Sequence, residues 1–371
     1  MEFIPVNEPI FDGNEKKYLC ECIDTGWISS EGPFVKSFEK NMAAYVGRKH
    51  GIAVSSGTAA LEAALQAMNF ETGSEVILPT FTIISCAQAI TKCGLVPVVV
   101  DCKKDTWNMD VDAIEEKITS KTRAIMVVHI YGLPVEMDKV LQLATKYNLK
   151  VIEDAAEMHG QTYKGKMCGS FGDVSIFSFY PNKHITCGEG GMIVTDDDEI
   201  ADRCRGARNL FFIPERRYVH EEIGSNFRMT NMQAALGCAQ LEKIEEHLQR
   251  KREIGAYYQE ALKDIENIQL PIAKTDYADN IYWVFGIVLG ERYNFGAVEA
   301  CNELKSMGIG TRTFFYPIHQ QPVYIKQGMF KNEECPNAEM ISERGFYIPS
   351  GLGITDKQME KVVECLHELL K

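Results

Sequence analysis

From about residue 50 the apolar positions form short runs that alternate with amphipathic stretches of helical length. Gly51-Ile52-Ala53-Val54 predicts a strand, and residues 59–68 predict the helix that follows. The alternation continues with strand 75–78 and helix 84–93, strand 96–101 and helix 111–118, and strand 123–129 and helix 137–147. A further strand, 150–153, ends at Asp154, and residues 173–196 supply two more. Apolar strands joined through helices by short connections predict an α/β domain, with a mainly parallel seven-stranded sheet covered on both faces. Before residue 50 the pattern predicts a short helix over 14–22, a loop over 27–32 and a helix over 34–46, with Phe34, Phe38, Met42 and Tyr45 on one face. After the sheet come a helix over 200–208, a long irregular loop over 211–227 and a long helical stretch over 232–262. Strand 282–288, helix 297–307, short strand 313–316 and helix 357–370 then predict a smaller α+β domain. The expected division is 1–245 for the large domain and 246–371 for the small C-terminal one.

Charge and cysteine usage narrow the function class. The formal net charge of −13 argues against a nucleic-acid partner, and an anionic substrate has to be held by local donors against the net field. The 12 cysteines contain no Cys-x-x-Cys pair, and the closest two are Cys20 and Cys22, so they read as reduced, small apolar residues. Met1-Glu2-Phe3-Ile4-Pro5 has neither a basic nor an apolar leader region, and no apolar run reaches the length of a membrane span. The expectation is a cytoplasmic protein with no membrane partner and no metal.

Chemistry gathers where strands end, because ligands of open α/β sheets sit at the carboxyl ends of the strands. Ser55-Ser56-Gly57-Thr58 leads from a strand straight into a helix, so it reads either as a simple N-cap or as a phosphate cradle of free N–H groups plus the Thr58 hydroxyl. Asp154 ends an apolar strand, where a nearly buried carboxylate needs a cationic partner or serves as a cap. Ser178 ends another apolar strand. Lys183 follows it in a tight turn that opens into Gly188-Glu189-Gly190-Gly191. Burial of that lysine would lower its pKa and make the amine nucleophilic; the alternative is a solvated turn lysine. Pyridoxal phosphate is the small cofactor that needs a phosphate cradle, a buried acid for a ring nitrogen and a lysine for its aldehyde together. No Gly-x-Gly-x-x-Gly follows a strand, which disfavours a nicotinamide site.

Four stretches then carry a resemblance across essentially the whole chain: Ser56-Gly57-Thr58-Ala59-Ala60-Leu61, Glu153-Asp154-Ala155-Ala156-Glu157, the run from Ser178 through Asn182-Lys183 to Gly190-Gly191-Met192, and Asn226-Phe227-Arg228-Met229-Thr230-Asn231 continuing to Ala235. The chain resembles the sugar aminotransferases of the DegT/DnrJ family, which have the aspartate-aminotransferase fold (fold type I). The resemblance implies that Lys183 forms the internal aldimine with pyridoxal 5'-phosphate and then shuttles a proton between Cα of the amino donor and C4′ of the cofactor. It implies that Asp154 bonds the pyridinium nitrogen, Glu157 lies on the ring 3-oxygen side, and Gly57, Thr58 and Ser178 bind the phosphate. It also implies that Asn226 reaches the phosphate of a neighbouring subunit, so that the active unit is a homodimer. Within the family, Gly26-Trp27-Ile28-Ser29-Ser30, Arg216-Arg217-Tyr218 and Arg228-Met229-Thr230-Asn231 are most similar to the members that make GDP-perosamine. The implied reaction moves an amino group from L-glutamate to the C4 ketone of GDP-4-keto-6-deoxymannose for surface polysaccharide. A UDP- or dTDP-linked 4-keto sugar is the alternative.

The chain departs from the family pattern in three places. Ile83 stands where relatives carry an aromatic residue that stacks on the cofactor ring, leaving Ile83 or the nearby Phe81 to cover that face. His184 and Thr313 also differ from the commoner residues, with an expected effect on the substrate side. Lys183 is retained, which disfavours the dehydratase relatives that carry histidine there. A non-enzymatic regulator would show a weakened lysine site or an added DNA-binding segment, and neither is found. Arg312 and His319 are candidates for the nucleotide diphosphate or sugar, and so is Ser29; each has an equally plausible packing role. His129 reads as a satisfied core histidine.

Overall fold

The computed structural model describes residues 3–216 and 218–371. Met1, Glu2 and Arg217, and with them part of the leader reading and of the Arg216-Arg217-Tyr218 motif, lie outside the described residues. Helices α1 (Glu15–Thr25) and α2 (Pro33–Val46) precede the sheet. Its strands are β1 (His50–Val54), β2 (Glu75–Pro79), β3 (Val96–Val100), β4 (Thr122–Val128) and β5 (Lys150–Asp154), followed beyond a small hairpin of β6 (Thr162–Tyr163) and β7 (Lys166–Met167) by β8 (Val174–Ser178) and β9 (Gly191–Thr195). The order is β1-β9-β8-β5-β4-β2-β3, and β9 alone runs antiparallel to its neighbours. The seven-stranded, mainly parallel sheet expected from the alternating pattern is therefore present. Its central strands are apolar throughout because both faces are covered: Ile125, Met126 and Val127 of β4 are fully buried. Helix α3 (Gly57–Ala67) is apolar nearly all round, and its five alanines and two leucines are buried between sheet and neighbouring helices.

Some expected elements change at their ends or in kind. Residues 111–118 form two 3₁₀ turns, Val111–Ala113 and Glu115–Lys117, instead of one helix. Asp110 closes the first turn by accepting from Asp112 N, and Asp112 and Glu115 reach out to Lys139 and Lys146 of α5 (Met137–Tyr147), so side-chain bonds compete with a continuous helical ladder. After α6 (Asp198–Arg208), the long stretch is divided at Lys243 into α7 (Asn231–Glu242) and α8 (Ile244–Leu262). The strand expected from residue 282 starts at Phe285, because Tyr282 sits at φ 48° with its N–H held by the Asn280 side chain.

The C-terminal sheet has the order β10 (Ile268–Gln269), β11 (Phe285–Leu289), β13 (Gly345–Ile348), β12 (Arg312–Thr313), all antiparallel. The pattern expected neither β10 nor β13, and β12 is shorter than the strand expected over 313–316. Helices α9 (Ala297–Ser306), α10 (Pro322–Lys326), α11 (Pro336–Arg344) and α12 (Asp356–Leu369) complete this α+β unit, with its own apolar core. Ile4 joins that core and pairs with Ile309, so the start of the chain packs with the C-terminal unit, not with the large domain in which the sequence reading put it. The two units meet through aromatic rings: Tyr131 at the end of the β4 region lies 4.8 Å from Phe314 and 5.7 Å from Trp283. Among the described residues no helix is long and apolar enough to cross a membrane.

Candidate active site

At the seam between the two units, the ends of β5 and β8 and the start of α3 open into one cavity of about 420 Å³. Lys183 reaches it from a tight turn after β8. Lys183 N donates to Tyr180 O, Phe179 N to Gly190 O and Cys187 N to Phe179 O, which folds the chain back into β9. Gly191 is required where the turn passes α3, because a Cβ there would stand 2.3 Å from Ser56 O. The Lys183 side chain is only 9% exposed. Its Nζ lies 3.7 Å from Glu157 Oε1 and 3.8 Å from the centroid of the Trp283 ring. Burial lowers the pKa of this amine, against the opposing pull of Glu157 and Asp154.

Two carboxylates face the amine from the β5 end. Asp154 is buried; its Oδ1 accepts from Ala156 N at 3.0 Å and its Oδ2 from the Cys86 thiol at 3.3 Å. Among the described residues no lysine, arginine or histidine forms an ion pair with it, and burial raises its pKa. Glu157 Oε2 accepts from Tyr131 N at 2.8 Å, and burial pushes its pKa up to about 8. At the opposite end, Ser56 caps α3 by accepting from Ala59 N, while the N–H groups of Gly57 and Thr58 lie in the first turn, where a helix has no acceptor of its own. Thr58 Oγ1 donates to Ser85 Oγ at 2.9 Å, and Ser178 lines the same wall. A Cβ on Gly57 would meet the Ser178 Cβ at 2.9 Å. The arrangement suits a phosphorylated, cationic heteroaromatic aldehyde: an anion at the helix start, a ring cation at Asp154 and a carbonyl at Lys183.

The other expected residues separate. Ile83 is 43% exposed and lines the cavity, whereas Phe81 is fully buried in a cluster with Tyr131, Phe314 and Phe315. Of these two residues, Ile83 is the one that lines the cavity. Arg312 is exposed on β12 and pairs in register with Tyr347, which lines the cavity. His319 takes the packing role that the sequence reading held open. It is buried with one imidazole nitrogen 2.7 Å from Thr80 Oγ1 and the other 3.0 Å from Glu339, so it ties the C-terminal unit to the end of β2 and does not reach the cavity. Ser29 lies on a second cavity of about 620 Å³, with Arg208, Asn209 and Arg228, and Asn226 is exposed beside Asn209. Neither lines the Lys183 cavity of its own chain. His184 is buried against His159, with ring centroids 5.9 Å apart, and Thr313 lies on an exposed strand of the C-terminal unit. His129 is satisfied in the core by Glu153 and Val135 N. Trp283, Cys86 and Tyr347 were not foreseen. Trp283 and Tyr347 come from the C-terminal unit, and their approach to Lys183 depends on how the two units pack, whereas Cys86 stands on the helix Ile84–Lys92 of the large unit; no local motif marks any of them.

The model of the DegT/DnrJ/EryC1/StrS aminotransferase family matches residues 9–367. A GDP-perosamine synthase of Caulobacter vibrioides is 42% identical over 369 residues, covering 99% of this chain and 98% of that one. One of Escherichia coli O157:H7 is 42% identical over 368 residues, covering 99% of each. Among solved structures, DesV of S. venezuelae superposes with a TM-score of 0.90 at 31% identity, over 100% of this chain and 99% of its own. The chain is thus a member of the DegT/DnrJ/EryC1/StrS aminotransferase family, a pyridoxal-phosphate-dependent family of fold type I.

Proposed function

We propose that this protein transfers an amino group from L-glutamate to the C4 ketone of a nucleotide-linked 4-keto-6-deoxyhexose, with GDP-4-keto-6-deoxymannose as substrate and GDP-perosamine as product. The observation that carries the reading is the convergence of Lys183, Asp154, Glu157, Thr58 and Ser178 on one cavity. The donor set fits pyridoxal phosphate: Asp154 is a buried carboxylate that makes no ion pair among the described residues, α3 offers Gly57 and Thr58 N–H groups, and a methyl on Gly57 would press on Ser178. When bound, the cofactor supplies the electron sink that lets a proton leave the amino donor's Cα.

The remaining chemistry belongs to the chain. Lys183 would hold the cofactor by its aldehyde, and its free amine would serve as the base that moves the proton of the amino donor's Cα. Asp154 keeps the ring nitrogen protonated, and the Cys86 thiol and Ala156 N–H fix that carboxylate in place. Glu157, held by Tyr131 N, orients the ring-oxygen side. Ile83 covers a ring face as an aliphatic, and Gly57, Thr58 and Ser178 hold the phosphate. Asn226, exposed and away from its own cavity, acts in the cavity of a second subunit of a homodimer, and Ser29 contributes to the same shared site. Arg312, which pairs in register with Tyr347, is our candidate for holding the nucleotide diphosphate, a role its exposed guanidinium supports. We assign residues 1–245 and 246–371 as the large and small domains, apart from the initial segment around Ile4, and the cytoplasm as location. The GDP choice is supported by the two full-length likenesses at 42% identity.

A single-turnover experiment tests the reading. The holoenzyme is first aminated with glutamate, and GDP-, UDP- and dTDP-linked 4-keto-6-deoxyhexoses are then added separately. Recovery of the cofactor's aldehyde-form absorbance with the GDP sugar alone is expected. Recovery only with a UDP or dTDP sugar overturns the substrate and keeps the reaction class. No cofactor absorbance at all overturns both.

A further inference from the structure

Lys183 carries a proton for part of each cycle in the proposed reaction, and its side chain is only 9% exposed. A charge in that position needs a partner. Glu157 at 3.7 Å is one, but a carboxylate also has lone pairs that accept the proton. The face of an indole attracts a cation through its quadrupole and has no lone pair there to take the proton. The Lys183 Nζ lies 3.8 Å from the Trp283 centroid, well inside the range of such contacts.

Trp283 is fixed in three ways. Its own Nε1 donates to Asn182 O at 2.7 Å, which links the ring to the residue preceding Lys183. Its ring packs 5.7 Å from Tyr131. Its carbonyl accepts from Lys251 Nζ at 2.8 Å, and the same ammonium donates to Ser350 O at 2.5 Å. Lys251, on α8, is 3% exposed and is bonded to carbonyl oxygens with no carboxylate in reach among the described residues, and burial lowers its pKa to about 7. A buried lysine that holds two carbonyls is costly to keep unless those carbonyls need to be held. Trp283 and Ser350 lie at the entrance to β11 and the exit of β13, so one side chain joins α8, the two central strands of the C-terminal sheet and, through the indole, the Lys183 turn.

We propose that the Trp283 ring is the docking platform for the protonated Lys183 amine, and that Lys251 is the positioning residue that holds this platform beneath it. The inference rests on the reading of Lys183 as the reactive amine. It concerns the free amine, so it is tested on the protein without cofactor, where failure of the aminotransferase reading and failure of the platform are separate results.

The measurement is the titration of Lys183 by competitive acylation. Cofactor-free protein is labelled with trace acetic anhydride over about pH 6–11, and modification at Lys183 is read by peptide mass spectrometry. Asp154, Glu157, Glu189, Tyr347, His159, His184 and Lys251 also face or influence this amine, and all of them are retained in the Trp283 variants. Trp283→Leu is expected to lower the Lys183 pKa by about one unit, a roughly tenfold rise in neutral amine below it. Trp283→Phe, which keeps a smaller aromatic face, should give about half that shift, and it decides the matter if the leucine variant does not fold. If Trp283 were only an apolar wall, its removal would admit water and leave the pKa unchanged or raise it. Either of those outcomes overturns the platform. Lys251→Met should shift Lys183 in the same direction, with partial recovery in Lys251→Gln, whose amide still donates. A fall in melting temperature with the Lys183 titration unmoved would make Lys251 a structural tie and overturn its positioning role.

Discussion

Asp154 shows how a single buried residue commits a site to a chemical class. Its oxygens are occupied by one N–H and one thiol, neither of which neutralises it, and burial raises its pKa. A cationic ring nitrogen resolves that cost. Asp154→Asn keeps the shape and removes the charge, so cofactor affinity should fall by roughly 10–100-fold, the worth of a hydrogen bond to a charged partner. Fluorescence titration of cofactor into the stripped enzyme measures it, and unchanged affinity would remove Asp154 from the site. Glu157 makes the complementary point about pH. Its folded pKa is raised to about 8 by burial, so between its ordinary value of 4.5 and about 8 the folded state binds more protons than the unfolded one. That stability is present at acid pH and is lost as pH rises through the window. Glu157→Gln, neutral throughout, should match the parent near about pH 5 and exceed it by about 1 kcal/mol or more near about pH 8.5, in urea unfolding of the cofactor-free protein. Equal pH dependence of the two proteins would show that Lys183 already compensates the carboxylate fully.

At the scale of elements, the site is a meeting of strand ends with one helix start. The α/β alternation was legible because short continuous apolar runs, the form of strands covered on both faces, are separated by longer amphipathic stretches of period 3.6. Asp154 and Ser178 could be placed at strand ends, and Gly57 at a helix start, from local pattern alone. The 3₁₀ turns at 111–117 were not legible, since they depend on side-chain bonds to distant elements, and the break at Lys243 has no glycine or proline to mark it. Strands β10 and β12, two residues each, are too short to carry a period, and β13 is only four residues long. The closeness of α3 to β8 gives the prediction proper to this scale. Gly57→Ala places a methyl against Ser178, so the helix start and the strand end must separate. Overpacking of this kind costs about 1–3 kcal/mol, and much of it should appear as weaker cofactor retention on dialysis, with only a small loss of melting temperature. Full retention would mean that the cradle lies elsewhere.

The whole molecule decides which residues work together. Asn226 and Ser29 belong to the family-like motifs, yet they stand outside the Lys183 cavity of their own chain. If each site takes Asn226 from a second subunit, Lys183→Ala and Asn226→Ala homodimers are both impaired. Equal mixing with subunit exchange should then restore about one quarter of the parental sites, because half the dimers are mixed and each has one intact site. No recovery after demonstrated exchange would place the whole site within one chain. Sequence by itself determined the sheet, the strand-end carboxylate, the helix start at Gly57 and the turn lysine, because each is written in contiguous residues with a local physical signature. Tertiary structure decided the rest. Phe81 is withdrawn into an aromatic cluster and Ile83 left in the cavity, His319 is spent on Thr80 and Glu339, and Trp283 is brought from 100 positions away to lie under Lys183. Those outcomes depend on how the C-terminal unit packs across the ends of the strands, a contact between distant segments that leaves no periodic trace in either of them.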